Sequence, residues 1–360
     1  MRAAIFRKGD FVVGEVPDPV LRPGQALVRT LACGICGSDL HAAKHTAQFV
    51  ELSRRAGARW RLDPQRDTVF GHEFAGEIVE YAPGETGPFK PGTVVTSMPM
   101  TIAERTVQGL GYNSDLPGGF AERMPLANRM LLEVPNGLPA AHASLTEPMA
   151  VGWHAVQHAR LEQGDLPLVI GCGPVGLAVI AALKIRGAHP IIAADFSPAR
   201  RALALRMGAD VVVDPAERSP YTCWSELATP AGYDGSRYAQ MMGLGGRLRP
   251  AVWFECVGVP GVIQAMLDGA PPWARIVVVG VCMETDRFEP FLGIVKQTSL
   301  QFVLAYTAEE FAQSLRHIAE GQIDVAPMIT GTIGLDGVKS AFAELASPER
   351  HAKIVVEPWR

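Results

Sequence analysis

The chain is poor in charged and aromatic residues, and neither sign of charge dominates. Charged side chains make up 19% of its 360 residues and aromatic ones 7%, and 33 basic against 37 acidic residues leave a formal net charge of −4. This balance argues against a dedicated nucleic-acid binder, which carries a strongly basic face. The hydrophobic share of 48% excludes a disordered chain. The length predicts two domains.

Cysteine is also scarce. Six Cys in a chain of this length are too few for the disulfide framework of a small secreted domain. A secretory leader is not expected, because the first seven residues contain no sustained apolar stretch. We therefore expect free thiols in a reducing, cytoplasmic compartment. Residues 166–183 carry no charge, but Gly171, Gly173, Pro174 and Gly176 interrupt them. This pattern predicts a buried strand followed by a buried helix and argues against a membrane span.

Two patterns divide the chain near residue 148. Before it, short β-like runs alternate with Gly/Pro turns and predict a mostly β domain. After it, strand and helix patterns alternate, which predicts an α/β domain with a doubly wound parallel sheet. An amphipathic helix at 310–320 then leads into short strands. The predicted domains are 1–148 together with 310–360, and 149–309.

A dinucleotide-binding pattern lies at the start of the second domain. Its G-x-G-x-x-G sequence follows a strand, opens a helix and consists of Gly171, Cys172, Gly173, Pro174, Val175 and Gly176. The glycines permit a tight turn, close approach of a pyrophosphate and packing of helix on strand, and the helix N-terminus donates amides to the phosphates.

The residues after the next strand bear on the choice of cofactor. Asp195 lies 19 residues beyond Gly176 and is suited to accept hydrogen bonds from ribose hydroxyls. It would repel a 2′-phosphate, which favours NAD over NADP. Arg200 and Arg201 lie nearby and argue the other way. We favour the interpretation that both are solvated residues of the next helix. We nevertheless keep Arg200 among the predicted cofactor-binding residues.

Candidate metal ligands are concentrated in the first domain. Cys33 and Cys36 form a C-x-x-C, His72 and Glu73 are adjacent, and Glu147 lies at the domain junction. A Cys–His–carboxylate set suits zinc with an open coordination position. The C-x-x-C alone is also typical of a zinc ribbon or a redox pair, but no second C-x-x-C and no βαβ context accompany it.

Taken together, these segments resemble the zinc-dependent medium-chain dehydrogenase/reductase family of alcohol, sorbitol and threonine dehydrogenases. The resemblance covers nearly the whole chain, including residues 118–122, 254–258 and 351–355. It implies a GroES-like, mostly β catalytic domain and a Rossmann cofactor domain. It also implies reversible, zinc-dependent, NAD-linked oxidation of an alcohol to the carbonyl by hydride transfer.

The resemblance assigns the zinc ligands. Cys36 and His72 match two of them. Glu73 matches an adjacent carboxylate that binds the metal in some members, and Glu147 matches the third ligand of the polyol-dehydrogenase branch; the sequence does not rank the two. Cys33 is then expected to pack in the strand.

The resemblance also assigns a proton path next to the metal. Asp39 matches the carboxylate that accepts the ring N–H of His72 and fixes its tautomer. Ser38 matches the hydroxyl that takes the proton of the substrate alcohol, and His41 matches the outer histidine that passes it to solvent through the cofactor ribose.

Two segments depart from the family pattern. Residues 97–117 contain no Cys where many members hold a structural zinc, so we expect one zinc per subunit. Residues 42–67 contain five arginines and two aromatic residues. They either select an anionic or aromatic substrate or form a solvated helix with Thr46 as its N-cap, and we favour the helix. His154 and His158 have metal-like spacing, but we favour a helix surface.

Two other functions remain as alternatives. One is a metal-free, NADPH-dependent reductase of the same superfamily, against which the intact ligands and Asp195 argue. The other is a dinucleotide-binding regulatory protein without catalysis, against which the proton-path residues argue. The predicted partners are a small alcohol or carbonyl substrate and further copies of the chain, in a homodimer or homotetramer paired near residues 277–281. We expect neither nucleic acid nor membrane.

Overall fold

The computed structural model describes residues 1–58, 60–103, 106–230, 233, 248–347 and 349–360. The strands are β1 (Arg2–Arg7), β2 (Asp10–Glu15), β3 (Gln25–Gly34), β4 (Thr68–Val69), β5 (Glu73–Tyr81), β6 (Val94–Ser97), β7 (Met100–Ala103), β8 (Thr106–Gly109), β9 (Arg123–Ala127), β10 (Leu131–Glu133), β11 (Leu166–Ile170), β12 (Ile192–Ala194), β13 (Val211–Val213), β14 (Ala251–Glu255), β15 (Arg275–Val278), β16 (Ser299–Phe302), β17 (Ile329–Ile333) and β18 (Lys353–Val356). The helices are α1 (Gly37–Lys44), α2 (Thr46–Arg55), α3 (Ala140–Ala143), α4 (Thr146–His158), α5 (Pro174–Ile185), α6 (Pro198–Met207), α7 (Pro220–Ala228), α8 (Val262–Gly269), α9 (Pro290–Lys296), α10 (Ala308–Ala319) and α11 (Val338–Leu345).

These elements form two compact units. The first comprises Met1–Ala150 and Thr307–Arg360, and the second comprises Val151–Tyr306. Each limit lies within a few residues of a predicted domain boundary.

The first unit is mostly β, as predicted. Its largest sheet has the strand order β10-β6-β5-β3-β18-β17, and β9 also pairs with β3. The pairing is antiparallel except between β17 and β18. The long strand β3 is buried along most of its length. Its carboxyl end, where Gly34 pairs with Glu73 at the start of β5, brings two distant motifs together.

The second unit contains the predicted doubly wound sheet. Six parallel strands are ordered β13-β12-β11-β14-β15-β16, which is the order of a dinucleotide-binding sheet. Side chains at alternate strand positions enter one buried cluster together with residues of α7 and α8, and its members include Leu166, Leu168, Trp224, Trp253 and Met266. On average, each large side chain buried in this way contributes about 1.5–3 kcal/mol to stability.

The local sequence explains the limits of α6. Ser197 caps the helix by accepting from the amide of Arg200, and Pro198 occupies the first turn, where its missing N–H costs nothing. Gly208 ends it with φ 123°, a conformation that favours glycine. The prediction for 198–207 is therefore confirmed.

Other predictions of local structure were less accurate. Thr46 does not cap α2; it is the first helical residue and follows His45, and its hydroxyl donates to the Ala42 carbonyl at 2.8 Å. The hydroxyl bonds to a carbonyl of α1 instead of capping α2, because α1 ends only two residues earlier, at Lys44. In the 215–248 segment α7 supplies the expected helix. The surface excursion predicted for the rest falls largely on 231–232 and 234–247, which lie outside the described residues.

Intermolecular pairing through the last strands of the second unit, near residues 277–281, stays a prediction, but its first two positions do not lie at a sheet edge. Val277 and Val278 belong to β15, which is already paired with β14 on one side and β16 on the other, so they have no free edge. Among the described ranges, no helix is long and apolar enough to cross a membrane.

Candidate metal and cofactor sites

The ends of two paired strands bring three potential metal ligands together. Cys36 follows β3 and precedes α1, while His72 and Glu73 stand where β5 begins. One donor atom of each lies within 4.8 Å of the others. Gly71 permits this approach, because it has φ +102° and a Cβ there would lie 2.9 Å from the Cys33 sulfur.

Asp39 supports both the cysteine and the histidine. Its Oδ2 accepts from the Cys36 amide at 3.0 Å. Its Oδ1 lies 3.2 Å from Nδ1 of His72. Asp39 is fully buried, so its charge acts on His72 with little screening. This contact leaves Nε2 of His72 for the metal side of the ring.

Ser38 lies next to these ligands. Its hydroxyl is 3.1 Å from Sγ of Cys36 and 3.5 Å from Nε2 of His72. Sequence reasoning did not identify Tyr112, whose hydroxyl lies 2.8 Å from the Ser38 hydroxyl and 2.9 Å from Oδ1 of Asp39. No motif marks Tyr112; the only signal was its place in the segment that lacks the family's cysteines.

His41 lies on α1. The hydrogen bonds of the Ser38 hydroxyl in the described part of the chain go to Cys36, His72 and Tyr112, not to His41, and the predicted path places the cofactor ribose between Ser38 and His41. Partial burial, reinforced by the neighbouring charges of His45 and Lys44, lowers the pKa of His41. The imidazole is therefore neutral at pH 7 and able to accept a proton.

Lys353 forms an ion pair with Glu73, the carboxylate among the three potential metal ligands. Both side chains are fully buried, and Nζ of Lys353 lies 2.7 Å from each carboxylate oxygen of Glu73. Glu147, in α4, is not part of the group of donor atoms that lie within 4.8 Å of one another. Burial alone would lower the pKa of Lys353, but the charges of Glu73, Cys36 and Glu147 outweigh it and raise the pKa.

Burial and charge act on the other ionisable groups around the donors. Desolvation opposes the charged form of His72, but Asp39 and Cys36 outweigh it and raise the pKa of His72. Burial raises the pKa of Cys33, which is fully buried in β3 and packs there. Burial and the charge of Asp39 also raise the pKa of Tyr112, so its phenol stays protonated at neutral pH.

The rings of Phe49, Trp60 and Phe70 pack around Tyr112. Phe49 and Trp60 stack at 5.1 Å with an interplanar angle of 6°, and both rings also contact Tyr112. Phe70 packs on Tyr112 edge to face at 5.5 Å. The charges of the 42–67 segment behave as expected for a solvated surface, since Arg54 pairs with Glu51 on the same helix and both are exposed. Arg59 lies outside the described residues.

The glycine-rich turn has the geometry that its sequence predicts. Gly171 has φ +93°. A Cβ on Gly176 would lie 1.9 Å from the Gly171 carbonyl, whereas a Cβ on Gly173 would meet only Nη1 of Arg200, at 3.9 Å. Gly176 is therefore required by packing within the turn, and Gly173 faces open space beside the start of α5. Pro174 and Val175 form the first turn of α5.

Asp195 and Arg200 lie beside this turn. The two oxygens of Asp195 accept from the amides of Cys172 and Ser197, each at 2.8 Å, which leaves each oxygen a further lone pair. Nε of Arg200 is buried and without a hydrogen-bond partner, and its Nη1 is 3.9 Å from Asp195. Arg201 is not the solvated residue that we predicted. It bonds to the carbonyls of Asp195 and Phe196 and pairs with Asp214.

His154 and His158 do not form a multi-ligand site. Their rings pack at 4.2 Å, and His158 is hydrogen-bonded to Gln301 at 2.9 Å. The described residues bring no third metal-ligating side chain to this pair.

Both predicted groups fit the residues present. A tetrahedral zinc ion needs S, N and O donors roughly 3.3–3.8 Å apart, and small movements of the three side chains would reach this spacing. A dinucleotide pyrophosphate needs space and amide donors at a helix start, and Gly173 leaves that space open.

The family models identify the class of protein. The N-terminal part matches the alcohol dehydrogenase GroES-like domain over residues 22–136, and residues 174–320 match the zinc-binding dehydrogenase domain. The chain belongs to the zinc-type medium-chain dehydrogenase/reductase family, as the sequence motifs implied.

Two curated relatives and one solved structure are similar to this chain over nearly its whole length. The chain is 30% identical to (R,R)-butanediol dehydrogenase of Neisseria gonorrhoeae, over 99% of both chains. It is 29% identical to the Bacillus subtilis enzyme of the same name, over 99% of this chain and 100% of that one. The crystal structure of 2R,3R-butanediol dehydrogenase from Bacillus subtilis superposes with a TM-score of 0.77 at 27% identity, over 99% of both chains.

Proposed function

We propose that this protein catalyses the reversible, zinc-dependent, NAD-linked oxidation of a small secondary alcohol to its carbonyl. The observation that carries the proposal is the group of Cys36, His72 and Glu73, with the Ser38 hydroxyl 3.1 Å from the cysteine sulfur, in a chain of this family. The butanediol dehydrogenase relatives favour vicinal diols within the secondary alcohols, with polyols and aromatic alcohols as further candidates.

Each residue has one task in this proposal. Cys36 and His72 hold the zinc together with a carboxylate from Glu73 or Glu147, and Asp39 holds His72 in place. Ser38 accepts the proton of the alcohol, and His41 passes it on. Bound zinc supplies Lewis acidity, which lowers the pKa of the alcohol oxygen.

The second unit is proposed to bind NAD. The turn from Gly171 to Gly176 would hold the pyrophosphate, Arg200 would contribute a nearby positive charge, and bound NAD would supply the hydride acceptor. Asp195 retains lone pairs for the ribose hydroxyls and disfavours a 2′-phosphate, which supports NAD over NADP. We propose one zinc per chain, since 97–117 lacks the cysteines of a second site.

We also propose a homodimer or homotetramer, with the predicted pairing through the last strands placed at the edge strand β16. Among the described strands, β16 pairs with β15 only. Its Phe302 is 66% exposed, and Ile294 on α9 is 72% exposed. An open strand edge beside exposed apolar side chains is a surface that a second copy can cover.

An alcohol panel with both cofactors tests the proposal. Secondary alcohols, vicinal diols, polyols and aromatic alcohols are incubated with NAD or NADP, and reduced cofactor is recorded at 340 nm while zinc is measured by elemental analysis. We expect NAD-linked turnover and about one zinc per chain. Zinc-free protein that reduces activated double bonds with NADPH would favour the metal-free reductase. Cofactor binding without turnover on any substrate would favour a regulatory protein.

A further inference from the structure

The hydroxyl of Tyr112 occupies a junction between two predicted functional residues. It lies 2.8 Å from the hydroxyl of Ser38 and 2.9 Å from the buried carboxylate of Asp39. Neither the family motifs nor the proton path described above includes this tyrosine. Ser38 and Asp39 are neighbours on α1, so one phenol contacts both the residue proposed to take the alcohol's proton and the residue that supports His72.

The number of protons limits the direction of these bonds. A phenol carries one proton, and a carboxylate can only accept. The phenol proton is directed at the Ser38 hydroxyl or at the Asp39 carboxylate, at 2.8 and 2.9 Å, and the carboxylate makes the stronger bond. The Ser38 proton has two acceptors within reach, the Tyr112 hydroxyl and the Cys36 sulfur, 3.1 Å away. With its proton on either acceptor, the serine keeps a lone pair that can accept from a substrate alcohol.

The aromatic cluster fixes the phenol in this position. Phe49, Trp60 and Phe70 each contact the Tyr112 ring, at centroid distances of 5.1, 5.7 and 5.5 Å. Phe49 and Trp60 come from the 42–67 segment, and Tyr112 comes from 97–117. The two segments that depart from the family pattern therefore meet around this one hydroxyl.

We propose that Tyr112 is a positioning residue: its hydroxyl orients the Ser38 hydroxyl toward the substrate and holds the Asp39 carboxylate behind His72. The role of Ser38 in this inference rests on the proposed function. The effect of Tyr112 on Asp39 can be measured without turnover. The positioning of Tyr112 also assigns a role to the two segments that depart from the family pattern, because aromatic side chains of 42–67 pack on the Tyr112 ring from 97–117.

A double-mutant cycle tests the action through Ser38. Tyr112→Phe removes only the hydroxyl and keeps the ring. We expect kcat for alcohol oxidation to fall by about threefold to tenfold with KM for NAD unchanged, since the Ser38 hydroxyl loses the hydrogen bond that orients it. In a Ser38→Ala background the same substitution should change kcat by less than about twofold, because the residue through which it acts is gone. Tyr81→Phe is the matched control and should retain wild-type kcat, because it also removes one phenol hydroxyl, which donates to the Phe89 carbonyl at 2.7 Å, but at the end of β5 remote from His72.

A zinc-competition measurement provides a readout that does not depend on turnover. Against a chromogenic chelator, Tyr112→Phe should weaken zinc binding by about tenfold through Asp39, the low end of the range of about tenfold to hundredfold for groups that support metal ligands. Tyr81→Phe should leave the zinc affinity unchanged. If Tyr112→Phe matches Tyr81→Phe in zinc affinity and lowers kcat equally in both Ser38 backgrounds, the positioning role is wrong. Wild-type protein that turns over no alcohol contradicts the proposed function alone, and zinc affinity then decides on Tyr112.

Discussion

Replacing Lys353 with Met tests how much the buried ion pair between Lys353 and Glu73 contributes to the stability of the protein. In wild type, Nζ of Lys353 bonds to both oxygens of Glu73 at 2.7 Å and to the Ile35 carbonyl at 3.0 Å, and neither charged side chain is exposed. Met has a similar length and fills the same space without charge. Lys353→Met therefore leaves Glu73 as a buried charge without its counterion.

The expected cost follows from that geometry. Removing one partner of a fully buried ion pair typically destabilises a protein by about 3–5 kcal/mol, because the remaining charge is no longer compensated. The first unit has roughly 200 residues, for which each kcal/mol shifts Tm by about 2–4 °C. Lys353→Met should thus lower Tm by about 6–20 °C.

Thermal unfolding with a chelator present measures this effect without a contribution from metal. Lys339→Met is the matched control, because Lys339 forms an exposed ion pair with Asp10 in the same unit and should cost less than about 1 kcal/mol. Adding Glu73→Gln to Lys353→Met removes the stranded charge and should recover part of the loss. Equal shifts in Tm for the two lysine variants would refute the reasoning.

The pH dependence of this stabilisation has a definite sign. The pKa of Lys353 is raised in the folded protein above its usual value of 10.5. A raised lysine pKa contributes stability that is complete below the unfolded value and is lost only as pH rises through the folded one. The difference between wild type and Lys353→Met should therefore persist from pH 7 to 9 and shrink above the usual lysine range.

Three further predictions concern the cofactor and the metal. Gly173→Val should keep Tm near wild type, because its side chain enters open space, but weaken NADH binding at least tenfold in a fluorescence titration; unchanged binding would place the pyrophosphate elsewhere. Asp195→Ala should lower the ratio of kcat/KM for NAD over NADP by about tenfold, and a constant ratio would remove Asp195 from selectivity. Since Asp39 and Cys36 outweigh burial and raise the pKa of His72, apparent zinc affinity should rise about tenfold per pH unit below that pKa in chelator competition; a flat profile would contradict this.

Local patterns were sufficient to predict two elements of the second unit. The turn from Gly171 to Gly176 and the helix at 198–207 follow from glycine, proline and capping residues that lie next to one another in the chain. Thr46 failed as a cap for a similar local reason, because the preceding helix ends too close to it and uses its hydroxyl.

The first unit shows where sequence reasoning stops. Motif matches pointed to Cys36 and His72, and the pairing of β3 with β5 brings them together. The same matches could not indicate that Lys353 neutralises Glu73, since 280 positions separate the two residues. Tyr112 was missed because its contacts with Ser38 and Asp39 depend on the packing of two segments for which no motif exists. Tertiary contacts of this kind leave no periodic signal in the chain.

The most direct test of the zinc-dependent alcohol oxidation is turnover in Cys36→Ser and His72→Ala, measured with zinc content and NADH affinity on the same samples. The account predicts that both variants lose zinc and lose NAD-linked alcohol oxidation by at least about 1,000-fold, a barrier increase of about 4 kcal/mol, while NADH binding stays at the wild-type value. Wild-type turnover in either variant, with its zinc absent, would contradict it.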